Sequence, residues 1–336
     1  MLNERRRIVL SALVSEYIRS AQPVGSKHLV DAYRLDCSPA TVRNELAALE
    51  DAGHVYQPHV SAGRVPTDSG YRVYVDGVAP SPEGLTGEEA ESVRAHYHRL
   101  ADEIDDVVRE TSALLTRLTD YAAVVVAPGF RGATIRRVDV VALSAARALV
   151  VVITDAGQVG NRHVDLGEET VAAELSVLER LLNEALEGFR ASDDLPGLSP
   201  ALAEGVGARL LEAVRDCLVE QDRARLRHAG TSALLGQPEF ADASAVRPLI
   251  ETIEDGLAML KVLSGAMKGH GVTVSIGTEN ATEGLEQVSV VAAHYGRAGA
   301  DGAVCVIGPT RMEYTRAMSA VRCVADALSE ALGGSA

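Results

Sequence analysis

Ser38, Thr41, Arg43 and Asn44 fall within one short stretch of the chain. Together they hold the chemistry needed to read the major groove of DNA. An arginine can pair bidentately with guanine and an asparagine with adenine. On a helix from Pro39 to about Ala52, with roughly 100° between residues, Val42, Leu46 and Leu49 share one side. Ala40, Asn44 and Ala47 then point the opposite way, flanked by Arg43 and Thr41. The small residues would let the backbone come close to base edges. Ser38 followed by Pro39 is a strong helix start, because Ser caps an orphan amide and Pro at the first position gives up no hydrogen bond. The free N–H groups beside Ser38 suit a phosphate. Taken alone, this face is also what any solvated helix presents, so the surrounding elements have to decide.

Those elements come in a definite order. Leu10, Leu13, Val14, Tyr17 and Ile18 have helical spacing within residues 1–20. Gln22-Pro23-Val24-Gly25 ends that helix, and Ser26 is expected to cap a short one, Lys27–Tyr33. The third helix should stop at Gly53. His54–Val60 reads as an edge strand, with Pro58 marking the edge. Ser61-Ala62-Gly63-Arg64 is a turn and Val65 begins the return strand. Three helices and a β-hairpin in this order are the layout of a winged helix-turn-helix. Arg64, beside Gly63 at the expected hairpin tip, is a candidate for phosphate or minor-groove contact. Arg5-Arg6-Arg7 could reach DNA or simply charge a first helical turn. The candidate DNA-binding set is Ser26, Lys27, Ser38, Thr41, Arg43, Asn44, Ser61, Gly63 and Arg64.

Net charge at first argues the other way. The 336-residue chain holds 32 basic and 47 acidic residues, a net of −15, whereas phosphate binding needs basic surface. The charge is unevenly spread. Residues 1–78 hold nine basic and nine acidic side chains, and the remaining 23 basic and 38 acidic residues carry the whole −15. Screening over about 8 Å at physiological salt isolates a remote acidic domain from DNA. A neutral module implies weak non-specific binding and a larger share for sequence-specific contacts.

Beyond it, residues 79–87 form a linker, and Thr86 with Glu89 makes a capping box for a helix over about 87–120. Arg137–Leu143, Ala148–Thr154 and Gln158–Leu166 read as a three-stranded antiparallel meander. Helices are expected at about 168–190, 200–220, 245–268 and 311–332, the last capped by Thr310 and Glu313. Strands are expected near 225–229, 271–276, 287–295 and 302–307. This is an α+β pattern. The N-terminus lacks the apolar core of a signal peptide, and the most apolar run, Ala148 to Thr154, is too short to span a bilayer. Four cysteines at 37, 217, 305 and 323 show no paired spacing and read as free thiols in a reducing cytoplasm.

Catalytic signatures are absent: no GxSxG, HExxH, P-loop or GxGxxG occurs. His96 and His98 would face different directions on a helix and would not share a metal. Gly308-Pro309-Thr310-Arg311 could cradle an anion, though the helix cap explains it without one. Ile276-Gly277-Thr278-Glu279-Asn280 reads as a strand-end turn whose Glu and Asn could line a pocket or an interface. No catalytic, cofactor-binding or metal-ligating residue is expected, and the chain is not read as an enzyme.

The stretch PVGSKHLVDAYRLDCSPATVRNELAALEDAGHVYQPHVSAGRVPTDSGYRVYVD, Pro23 to Asp76, resembles the N-terminal domain of the heat-inducible transcription repressors, the HrcA family. The resemblance continues in GTSALLGQPEFAD at 230–242, VSIGTEN at 274–280 and VCVIGPTRMEYTRAM at 304–318. It is weakest over about 130–225. The resemblance implies a cytoplasmic repressor of chaperone operons that binds an inverted-repeat operator, CIRCE, as a homodimer. It implies that the GroE chaperonin supports its activity, which is lost on heat stress. It also implies an architecture: a winged-helix domain (1–78), the linker (79–87), a GAF-like domain (88–134 and 226–336) and a dimerisation domain inserted into it (135–225). An alternative stays open, in which a ligand in a GAF-like pocket controls operator binding. A third reading uses the winged-helix module for protein contacts, with an acidic enzymatic or scaffolding remainder.

Overall fold

The structure is a computed structural model. It describes residues 2–59, 62–78, 84–97, 104–127, 134–155, 158–190, 200–224, 226–241, 243–268, 271–282, 284–296 and 302–333. Of the residues singled out above, Val60, Ser61 and His98 lie outside the described residues, as does most of the linker, 79–83.

Helix α1 spans Glu4–Ser20, and the Asn3 side chain accepts from the Arg6 amide at its start. Helix α2 spans Ser26–Tyr33. Ser26 is its first helical residue rather than its cap; Gly25 takes the cap position without a side-chain bond. Helix α3, Pro39–Asp51, begins as the sequence indicates, with Ser38 capping and Pro39 in the first turn. The strands β1, Val55–Tyr56, and β2, Val65–Pro66, pair antiparallel. The expected strand over 54–60 is thus only two residues long, since Pro58 has no N–H to continue a ladder. Helix α4, Asp68–Asp76, is capped by Thr67, whose hydroxyl accepts from the Gly70 amide and donates to the Gly53 carbonyl.

Helices α5, Gly87–Tyr97, and α6, Ile104–Thr119, stand where one long helix was expected, with 98–103 outside the described residues. The Thr86–Glu89 capping box forms reciprocally, at 2.8 and 3.2 Å. Strand β3, Ala122–Val126, was not expected. All five of its residues are buried, so it is a short unbroken apolar run with no alternation to betray a strand.

The meander follows as β4, Ile135–Ser144, β5, Arg147–Thr154, and β6, Val159–Asp165, antiparallel in that order. Then come α7, Ala172–Leu186, α8, Pro200–Ala203, and α9, Gly205–Ala224. One face of this sheet, with Val138, Val150 and Val152 fully buried, packs against α7 and α9. The backbone edge of β4 is sealed by α7. Asn183 accepts from the Val138 amide and donates to its carbonyl, and Glu179 accepts from the Val140 amide. The other face is open, with Leu149, Val151 and Ile153 half-buried and Val141, Leu143 and Val159 exposed.

The remainder comprises β7, Leu226–Ala229, α10, Thr231–Leu235, α11, Ala243–Glu254, α12, Gly256–Lys268, β8, Val272–Ile276, β9, Val288–Tyr295, β10, Gly302–Pro309, and α13, Tyr314–Gly333. The helix expected over 245–268 is two, because Asp255 ends one and its carboxylate caps the next through the Ala258 amide. Helix α13 starts later than expected, with the Glu313 carboxylate rather than Thr310 accepting the Arg316 amide. The strands form a five-stranded sheet in the order β7-β3-β10-β9-β8, and β10 is buried along its whole length. The fold is mixed α+β.

Two compact units result. One holds residues 1–125, 227–294 and 304–331; the other is mainly 126–226. The four cysteines are free, with Cys217 and Cys305 buried. Among the described residues no helix is long and apolar enough to cross a membrane, and no cluster of three metal-ligating side chains occurs.

Candidate nucleic-acid interface

The α3 face forms as the periodicity requires. Val42, Leu46 and Leu49 are buried, while Ala40, Arg43, Asn44 and Ala47 are exposed. The Ser38 Oγ accepts from the Thr41 amide at 3.1 Å and lies 2.9 Å from the Thr41 hydroxyl, so the two side chains are fixed together at the helix start. Neither Arg43 nor Asn44 has a side-chain hydrogen bond or ion pair to another described residue. On α2, Ser26 is half-buried and Lys27 exposed.

Most other basic groups of the module are already engaged. The Arg6 Nε bonds Glu45 of α3 at 2.9 Å, with Arg5 reaching the same carboxylate at 4.0 Å. These members of the arginine run therefore tie α1 to α3. Glu16, buried on α1, takes Arg19 at 2.7 Å and His28 of α2 at 2.9 Å. The hydrogen bond from Arg19, against the opposing effect of burial, holds its carboxyl below the usual glutamate range.

Arg64 is not an unengaged cation at a loop tip. Its backbone pairs with Val24 in both directions, at 2.8 and 2.9 Å, and its guanidinium lies 2.8 Å from Glu50. Its side chain is only 18% exposed, and its Nε is buried without a partner. Gly63 is explained by the same close approach, since a Cβ there would run into the Val24 backbone. These two residues thus dock the hairpin against the α1–α2 connection. Ser61 lies outside the described residues.

The other stretches with possible chemistry are occupied within the chain. Arg311 bonds Glu239 and reaches the Ile18 carbonyl, so the cation of the 308–311 turn already has an anion. In the 276–280 turn, Glu279 takes Arg72 of α4, and Thr278 bonds Asp68 through its amide and its hydroxyl, each at 2.9 Å. The Asn280 amide donates to the carbonyls of Gly277, Leu285 and Val288, closing the loop. Sequence reading missed Asp68 and Arg72 altogether; their partners lie some 200 residues away, as sequence separations of 202 to 210 record. It also missed Glu45 and Glu50, whose positions flanking the buried stripe of α3 were the available signal.

Residues 105–318 match the family model described as HrcA protein C terminal domain. Over 340 residues, 98% of each chain, the sequence is 40% identical to a heat-inducible transcription repressor HrcA of Moorella thermoacetica. It is 41% identical to the protein of that name from Streptomyces avermitilis, covering 100% of both chains. A solved structure described as a hypothetical protein at 2.2 Å resolution covers 99% of each chain at 27% identity, with a TM-score of 0.66.

Proposed function

This chain belongs to the HrcA family of heat-inducible transcription repressors, and we propose that it represses chaperone operons by binding the CIRCE inverted repeat as a homodimer. In this reading it loses activity on heat stress, and the GroE chaperonin supports its folding into the active form. The observation that carries the DNA-binding part is the α3 face. Arg43 and Asn44 stand exposed among alanines with no side-chain bond to another described residue, while Arg6, Arg19 and Arg64 are paired.

Residues 1–78 act as a winged helix-turn-helix with α3 as recognition helix. Arg43 and Asn44 read bases; Ser26, Lys27, Ser38 and Thr41 meet backbone or base edges; Ser61, Gly63 and Arg64 form the wing. Residues 79–87 link this module to a GAF-like domain, 88–134 and 226–336, into which a dimerisation domain, 135–225, is inserted. An inverted repeat requires a two-fold protein whose recognition helices are spaced by whole turns of DNA. The open face of the β4–β5–β6 sheet supports the dimer. It presents Val141, Leu143 and Val159 beside the half-buried Leu149, Val151 and Ile153. Because α7 already seals the β4 edge, association there would go through the face. Sensing heat by marginal stability is physically reasonable, since only about 5–15 kcal/mol separates folded from unfolded states.

A gel shift with a duplex carrying the inverted repeat tests this, run before and after mild heating and with or without chaperonin. Specific binding that falls on heating and recovers better with chaperonin is expected. Absence of specific binding refutes the repressor reading, and recovery indifferent to chaperonin removes that part of it.

A further inference from the structure

Helix α4 turns one face toward the end of β8 and the start of α13. Asp68, Tyr71, Arg72 and Val75 follow the i, i+3, i+4, i+7 spacing of a single helical stripe. Tyr71 and Val75 are buried, and the Tyr71 ring lies 6.0 Å from that of Tyr314. Polar contacts flank this apolar centre. The Arg72 guanidinium forks onto both carboxylate oxygens of Glu279, with Nε–Oε1 at 2.8 Å, and donates a further bond of 2.7 Å to the Val274 carbonyl. The Asp68 carboxylate accepts both the amide and the hydroxyl of Thr278. Gly277, at φ +52°, is where a Cβ would run into that carboxylate, so the turn is shaped to admit Asp68.

Burying Tyr71 and Val75 would suffice to make α4 adhere. It would not fix the angle of α4, because apolar contact is non-directional. A bidentate Arg–carboxylate pair adds geometric specificity to its energy. Through Thr67 and Gly53, α4 is joined to the C-terminal end of α3. An angle fixed at α4 therefore passes to the recognition face.

We propose that Asp68 and Arg72, acting through Thr278 and Glu279, are positioning residues for operator binding. They set the angle at which α3 is presented and hence whether both recognition helices of a dimer engage one inverted repeat together. The inference rests on the dimeric repressor reading and adds to it a clasp outside the DNA-contacting surface.

The test measures binding of the full-length protein to two duplexes, one with the whole inverted repeat and one with a single arm scrambled. Losing simultaneous engagement removes avidity without altering either half-site, so Asp68→Ala and Arg72→Met should weaken the full repeat at least about tenfold and the half-site less than about twofold. Arg72→Met and Glu279→Gln should be non-additive, and Arg72→Lys, which keeps the charge but not the fork, should restore only part of the loss. Amide exchange at Thr278 should quicken in Asp68→Ala, which shows the clasp open independently of DNA. Equal weakening on both duplexes, or none on either, overturns the proposal. Wild-type protein that binds neither duplex overturns instead the repressor reading beneath it.

Discussion

The Arg64 guanidinium lies 2.8 Å from the Glu50 carboxylate, and this pair joins the hairpin to the last turn of α3. A phosphate contact by Arg64 must therefore share the cation with Glu50 or take it over. Arg64→Ala is expected to weaken binding evenly across sequences and to lower the salt slope by about 1. Glu50→Gln is expected to do the reverse, freeing the cation and steepening the slope by about the same amount. Titrations at several salt concentrations decide it. A slope unchanged in both variants would leave Arg64 with a purely structural role at Val24.

Arg43 and Asn44 should behave differently from Arg64, because base contacts carry sequence information and phosphate contacts do not. Arg43→Ala should cost about 1–3 kcal/mol of specific operator binding and relax the preference at one base pair, with little change on random duplex. Asn44→Ala should do the same at a neighbouring position. Competition titrations with single-base operator variants would locate each position. Normal binding of the repeat by both variants would sink the assignment of α3 as recognition helix.

Much of the α3 face was legible because helical periodicity and a Ser-Pro start are local signals. Val42, Leu46 and Leu49 fall inward and Ala40, Asn44 and Ala47 outward as spacing alone requires. Pairwise electrostatics were not legible in the same way. Arg64 reads as a free loop cation until Val24 and Glu50 are brought beside it by folding. Glu279 reads as a loose turn residue until α4 delivers Arg72. Strand β3 shows the same limit in another form: five consecutive buried residues carry no alternation, and only their place between β7 and β10 identifies them as a strand. The placement of Ser26 failed for a smaller reason, since Gly25 adopts the extended cap conformation one residue earlier.

Thiol chemistry offers a probe of the interface that needs no mutation. Burial pushes Cys217 up to about 11 and Cys305 up to about 12, so neither presents appreciable thiolate near neutral pH. Burial also raises Cys323, though it is less enclosed. Cys37 is half-buried and immediately precedes the Ser38 cap. Alkylation of native protein should label Cys37 first and leave Cys217 and Cys305 unmodified until the fold opens. Bound operator should slow labelling at Cys37 and leave Cys323 unaffected. Mass spectrometry of quenched time points gives both rates, and equal labelling of Cys37 with and without operator would place the DNA away from the α3 start.

The buried Glu16 links α1 to α2 and makes the stability of the module depend on pH. Its carboxyl is 4% exposed by residue and is held below the ordinary glutamate value, first by the hydrogen bond from Arg19. A depressed folded-state pKa means that the unfolded chain binds the proton more readily. The stabilisation is therefore complete above the unfolded value, about 4.3, and is lost as pH falls through the lower folded value. Glu16→Gln should accordingly destabilise the protein at pH 7, where Arg19 and His28 lose an anionic partner. The difference from wild type should shrink as the pH falls below the ordinary glutamate value and through the lower folded one, where the wild-type carboxyl itself becomes protonated. Urea unfolding of both proteins across this range reads the effect directly. A destabilisation that stayed constant with pH would mean that the loss comes from packing rather than from the charge on Glu16.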